Sequence, residues 1–200
     1  INKIAYRYFR KSKACRSFEY ASKLIELQIG TPHPIAYYEN HDLIGLKESF
    51  YACEHLENVF EFRVIVQNEN FENREEIIRQ FIRFTSFMHR EGVEFLDHSP
   101  GNTLIKKKGQ GSYDFYLVDL NRMRFHNTMS FDVRMKNLCR LSNKEEMVKI
   151  MSNEYAIISP NMPMDLPIDV LSDSGTDRMI LTEKGVTVKS SFPPVIDPNG

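Results

Sequence analysis

Residues 95–122 read FLDHSPGNTLIKKKGQGSYDFYLVDLNR, and this stretch decides the fold. Asp97 stands just before Pro100 and Gly101, which lead to Asn102. An apolar run from Thr103 to Ile105 follows, then a basic, glycine-rich turn from Lys106 to Ser112. A second apolar run, Tyr113 to Val118, ends on Asp119. Two short strands about a tight turn predict a β-hairpin over Thr103–Val118. One carboxylate precedes the first strand and another closes the second, so both fall at the same end. Phosphoryl transfer uses this layout. Asp97 would meet an acceptor hydroxyl, while Asn102 and Asp119 would offer oxygen ligands to a divalent cation on nucleotide phosphates. Pro100 and Gly101 are expected to turn the chain sharply between Asp97 and Asn102.

The same residues carry a family resemblance. Asp97-x-x-x-x-Asn102 resembles the catalytic loop of the protein-kinase-like fold, and Asp119-Leu120-Asn121 its metal-binding segment. DHSPGN followed by VDLNR most resembles the bacterial lipopolysaccharide core kinases, which phosphorylate Kdo or heptose sugars. The likeness runs from about Tyr6 to Tyr155. It implies an α+β, protein-kinase-like fold, ATP as co-substrate and Mg²⁺ or Mn²⁺ as cofactor. It also implies a lipopolysaccharide core sugar or lipid A precursor as acceptor, and a cytoplasmic chain peripheral to the inner membrane. Phe95 and Leu96 stand where the family pattern has histidine and arginine, Ser99 replaces a loop lysine, and Asn121 replaces a glycine. These departures suit a small-molecule kinase better than a protein kinase. Other acceptors, of aminoglycoside or choline type, and a non-catalytic pseudokinase remain as alternatives.

Composition narrows the field. Apolar residues at 42% and charged residues at 26% are those of a globular chain, and 200 residues can bury one core or two small lobes. A net charge of −1 gives no electrostatic footprint for nucleic acid. Cys15, Cys53 and Cys139 are far apart without a CxxC pair, which suggests a reducing compartment and no zinc site. No apolar run approaches the roughly 20 residues of a membrane-spanning helix. The histidines are scattered without HExxH, and Asp97-His98-Ser99 lacks the GxSxG elbow of a serine hydrolase.

Outward from the hairpin, Asn73–Arg90 predicts the clearest helix. Asn73 and Glu76 read as a capping box, and Ile77, Ile78, Phe81, Ile82 and Met88 form an apolar face. His89 near its end is read as structural, a cation suited to the helix dipole. Ser17–Gln28 predicts a helix capped by Ser17 and stopped at Gly30-Thr31-Pro32. By the resemblance, Glu19 on this helix would pair with a nucleotide-gripping lysine. Two strands, Pro34–Glu39 and Gly45–Glu54, flank an Asn40-His41-Asp42 turn and lead to a hinge. There, backbone groups around Glu54, His55 and Leu56 would bind the adenine edge. Asp132–Leu141 and Asn143–Tyr155 are expected to be helical. This gives a partial N-terminal lobe over 1–56, a kinase-like C-terminal lobe over 57–156 and a tail over 157–200. The tail is read as irregular apart from a hairpin about Lys184-Gly185 within Met179–Lys189. The basic, aromatic residues 1–16 are read as a solvated segment. A glycine-rich loop and a strand lysine are expected upstream of Ile1.

Overall fold

In the computed structural model of the protein, residues 11–43 and 45–159 are described in full, and residues 167–172, 175–182 and 185–190 as strand backbone. The expectations for residues 1–10 and 191–200 lie outside the described residues. The fold is α+β.

Helix α1 spans Lys13–Glu26 and begins earlier than the predicted Ser17 cap. Ser12 is the cap: its Oγ accepts from the Cys15 amide at 2.9 Å, while Ser17 is buried inside the helix. The helix ends in a Schellman pair rather than at Gly30. Gln28 takes the left-handed conformation (φ 60°), its amide donates to the Ile25 carbonyl, and the Ile29 amide donates to that of Leu24. Ile29 and Leu24 are both buried, which supplies the apolar contact that closes the motif. Strands β1 (Pro34–His41) and β2 (Leu46–Cys53) pair antiparallel. Their turn lies later than predicted, where Asp42 and Gly45 exchange hydrogen bonds of 2.9 and 2.8 Å.

Strand β3 (Val59–Glu61), helix α2 (Phe62–Gln67) and helix α3 (Arg74–Arg90) come next. Strand β4 (Val93–Phe95) then leads to a 3-10 turn over Pro100–Asn102. Strands β5 (Thr103–Gly109) and β6 (Ser112–Leu117) form the predicted hairpin, with Thr103 opposite Leu117, and β3 pairs the outer side of β5. Strand β7 (Met123–Phe125) returns to pair with β4. Helices α4 (Phe131–Leu138) and α5 (Glu145–Ile158) follow. Strands β8 (Pro167–Ser172), β9 (Gly175–Thr182) and β10 (Gly185–Ser190) make a three-stranded antiparallel sheet. The tail read as irregular therefore holds regular structure. Strands β9 and β10 pair as the predicted hairpin, whose turn residues 183 and 184 lie outside the described residues, and β8 is added to it.

Helix α3 is the prop of the molecule. Ile77, Ile78, Phe81 and Ile82 enter one core with Phe62, Ile105, Phe115 and Tyr155. Met88 enters a second core with Leu24, Val93, Phe95 and Leu117. The capping box at its start does not form. Asn73 sits at φ 58°, in the left-handed region, and makes no side-chain cap. The entrance is held instead by Arg74, whose Nε donates to the Ile65 carbonyl at 2.9 Å and whose Nη1 meets Glu146 at 3.1 Å.

His89 is structural, as expected, but not as a cation. It is fully buried and bridges Tyr155 Oη (2.9 Å) and Asn137 Oδ1 (3.1 Å). Asn137 spends its amide nitrogen on the Phe95 carbonyl at 2.6 Å. Its oxygen therefore accepts from His89 Nε2–H, and His89 Nδ1 accepts the tyrosine proton. Burial pushes His89 down to about 4. His98 lies between the rings of Phe81 and Phe95, and burial pushes it down to about 3. Both rings are neutral in the folded state, whereas unfolded histidine titrates near 6.5. Unfolding thus takes up protons below about 6.5. The stability is complete above that value and declines as pH falls toward about 4. In urea melts, each ring should remove about 1.4 kcal/mol per pH unit within this window. His98→Phe keeps an aromatic ring in the slot and should shed the contribution of one ring. Equal slopes for wild type and variant would show that His98 is not held neutral.

Candidate active site

The hairpin brings its two carboxylates to one end. β5 and β6 part beyond Thr103 and Leu117, and one more bond, from the Val118 amide to the Asn102 carbonyl at 3.0 Å, ties the diverging segments. On the other side, the Leu96 amide donates to the Arg122 carbonyl at 3.0 Å, and Phe95 pairs with Met123. Asp97, Asn102 and Asp119 are therefore gathered by backbone bonds on both flanks.

Each carries a defined partner. Asn102 donates its side-chain nitrogen to the Asp97 carbonyl at 2.8 Å, which leaves Oδ1 as the atom that could accept from a ligand or cation. Asp97 Oδ1 accepts from Arg122 Nη1 at 2.8 Å. Asp119 has φ 55°, a left-handed backbone that costs a non-glycine residue about 1 kcal/mol or more. Strain of this kind recurs at functional positions. Its Oδ1 accepts from Asn121 Nδ2 at 2.7 Å and lies 3.2 Å from Lys13 Nζ. One amide oxygen and one carboxylate are hard donors of the type magnesium takes, with water and phosphate oxygens completing six positions. The described residues contain no group of three or more His, Cys, Asp or Glu placed to hold a metal on their own.

A cleft of about 270 Å³ opens beside Asp119. Ala14 and Ser17 of α1, Tyr51 and Cys53 of β2, and Leu117 and Leu120 wall it, with Lys13 and Asp119 as its charged groups. Burial, aided by neighbouring Cys53, pushes Tyr51 up to about 12, so its hydroxyl stays a donor. Of the predicted site residues, Asp119 is in this lining, whereas Asp97, Asn102, Glu19, Glu54, His55 and Leu56 are not. Glu54, His55 and Leu56 follow directly after Cys53. The Glu54 amide is taken by the His33 carbonyl at 2.8 Å. Glu19 stands nearly two turns into α1 and forms an ion pair with Lys11.

Three basic residues of the site were not singled out in the sequence. Lys13 reaches Asp119, Arg16 donates from Nε to the Asn121 carbonyl at 3.0 Å, and Arg122 holds Asp97. The available signal was Lys13 and Arg16 three residues apart at the start of a helix, where they share a face. Gly101 also has a different task from the one predicted. It is not among the glycines with positive φ, so the turn does not require it. A Cβ there would instead sit 2.0 Å from Arg63 Nη2, and Gly101 makes room for that guanidinium over the loop.

Gly30 is the contrasting case. Its carbonyl accepts from the Leu117 amide at 2.8 Å, Thr31 Oγ1 donates to the Leu117 carbonyl, and a Cβ would lie 2.0 Å from the Phe115 carbonyl oxygen. Backbone cannot step aside as a flexible arginine can. Gly30→Ala should destabilise by about 2–3 kcal/mol, the scale of a forced overpacking. Gly101→Ala should cost under about 1 kcal/mol and leave the melting cooperative. Chemical denaturation of the two variants checks the pair, and equal losses would refute the assignment of Gly101 to Arg63.

Comparison with known proteins identifies the family and a similar fold. The model of the lipopolysaccharide kinase (Kdo/WaaP) family matches residues 1–158. A solved structure described as WaaP in complex with acyl carrier protein superposes with a TM-score of 0.58. The likeness covers 75% of this chain and 67% of that chain at 18% identity, a similarity of fold. Comparison with curated proteins gave no match.

Proposed function

The chain belongs to the lipopolysaccharide kinase (Kdo/WaaP) family, and from that membership we propose that it transfers the γ-phosphate of ATP to a sugar hydroxyl of the lipopolysaccharide core. The observation that carries this reading is the clasp at the hairpin's end, where the Val118 amide bonds the Asn102 carbonyl and holds Asp97, Asn102 and Asp119 together. Residues 1–56 act as part of an N-terminal lobe and 57–156 as the C-terminal lobe, with the cleft between α1, β2 and the end of β6 as the nucleotide site.

Phosphoryl transfer asks a protein chiefly for alignment and charge stabilisation. Asp97, fixed by Arg122, orients the acceptor hydroxyl and takes its proton. Asn102 Oδ1 and the Asp119 carboxylate would hold magnesium, which would neutralise charge on the phosphates. The adenine would lie against Tyr51, Cys53 and Leu117, with its edge read by the Glu54 carbonyl and the peptide groups of His55 and Leu56. Glu19 belongs to the nucleotide side through its place on α1. The acceptor is a lipid-linked sugar, which implies work at the cytoplasmic face of the inner membrane. No helix among the described residues is long and apolar enough to cross a membrane.

The roles separate in kinetics. Asp97→Asn keeps size and hydrogen bonding but cannot accept a proton. In the full-length protein with Kdo-lipid A as acceptor, transfer should fall by ~10²-fold or more, while magnesium-ATP affinity stays within a few fold. Asp119→Ala should leave nucleotide binding that no longer responds to magnesium, and Asn102→Ala should weaken both binding and rate. Wild-type transfer by Asp97→Asn would remove Asp97 from catalysis. ATP binding without transfer to any sugar, by wild type as well, would make the chain a pseudokinase.

A further inference from the structure

We propose that Lys13 is a phosphate ligand of the nucleotide, and that it gives up its ion pair with Asp119 for a phosphate oxygen when the nucleotide binds with its metal. The inference rests on the kinase reading above. Lys13 opens α1, and the Ser12 cap fixes the turn that carries it. Its Nζ lies 3.2 Å from Asp119 Oδ1, and both residues line the same cleft. Among the described residues, Lys13 is the only basic one in that lining. Lys11, its near neighbour, is committed to Glu19.

The exchange follows from charge. A divalent cation bound by Asp119 repels an ammonium group placed 3.2 Å from the same carboxylate oxygen. The cation arrives with a polyphosphate, which supplies the displaced ammonium with the nearest new anion. A lysine on a flexible stem can make that short swing without moving the helix. The pair being left is solvent-exposed, with side chains 62% and 51% accessible, so breaking it costs little. Asn121 keeps its bond to Asp119 Oδ1 and holds the carboxylate in place through the change.

The test is calorimetry of the full-length protein with adenosine and with magnesium-ATP. Wild type, Lys13→Gln and Lys13→Arg are compared, and thermal melts verify folding. Lys13→Gln should lose about tenfold or more in magnesium-ATP affinity, the scale of one charge-assisted hydrogen bond. Its adenosine affinity should be unchanged, and Lys13→Arg should recover most of the loss for ATP. Lys13→Gln binding magnesium-ATP like wild type would overturn the proposal and leave the kinase reading standing. An equal loss for adenosine would also overturn it, since the defect would then lie in the cleft and not in a phosphate contact. If wild type binds no magnesium-ATP, both readings fail together.

Discussion

The hydrogen bond from the Val118 amide to the Asn102 carbonyl is the constraint on which the site depends. β5 and β6 are paired up to Thr103 and Leu117, and the segments that bear Asp97, Asn102 and Asp119 diverge from there. Without a further tie, each would be free to swing about its strand end. The Val118–Asn102 bond closes the inner flank, and the Leu96–Arg122 bond with the β4–β7 pair closes the outer one. Asp97 and Arg122 then meet across 25 residues of sequence at 2.8 Å. Backbone bonds are well suited to this task, because they fix position without depending on side-chain rotamers. The side chains they place remain half-buried or exposed and open to ligands, while Ile105, Leu117 and Phe95 just behind them are completely buried.

Support for the clasp comes from beneath. Phe95 is the last residue of β4, and its carbonyl is held by Asn137, which is held in turn by His89 and Tyr155. This network links α3, α4 and α5 to the residue from which the loop departs. A buried polar network is costly unless every member is satisfied, and the neutral His89 ring satisfies both neighbours. His98 lies on the other side of the loop, against Phe81 and Phe95, and turns its ring inward while adjacent Asp97 faces outward. The loop is thus anchored by an aromatic packing contact at the residue next to Asp97.

Much of this could be read in the sequence, and the parts that could not share a cause. The β5–β6 hairpin and α3 announce themselves because alternation and helical periodicity repeat over many residues. Asp97, Asn102 and Asp119 stand out in the sequence because their order around the hairpin is itself a signal. The caps were misplaced. Ser12 and Ser17 are chemically equivalent as caps, and only the burial of Ala14 and Cys15 selects the earlier start. Gln28 stands where glycine is usual, so the Schellman stop carries no sequence mark. Asn73 and Glu76 have the spacing of a capping box, but Asn73 adopts the left-handed conformation and makes no side-chain cap. Gly101 looked like a turn glycine and is a space for Arg63, a residue distant in sequence. Each miss is a choice settled by tertiary contact, and single-residue signals cannot anticipate those.

The electrostatics of the site belong to the same class of hidden information. A net charge of −1 shows nothing of local pairing. Yet Asp97 is met by Arg122 and Asp119 by Lys13, while Arg16 holds the Asn121 carbonyl between them. None of these contacts is fully buried, so together they add little to stability, since exposed pairs contribute about 0–1 kcal/mol each. Their value lies in being exchangeable. A deeply buried pair would bind its carboxylate too firmly to give it up, and an unpaired carboxylate would lose its orientation to solvent. In the proposed transfer a half-exposed basic partner avoids both extremes: it orients the carboxylate and, at Asp119, can be displaced at small cost when a stronger cation arrives. The strained backbone of Asp119 fits this arrangement, because the scaffold behind it supplies the stability that the site itself does not.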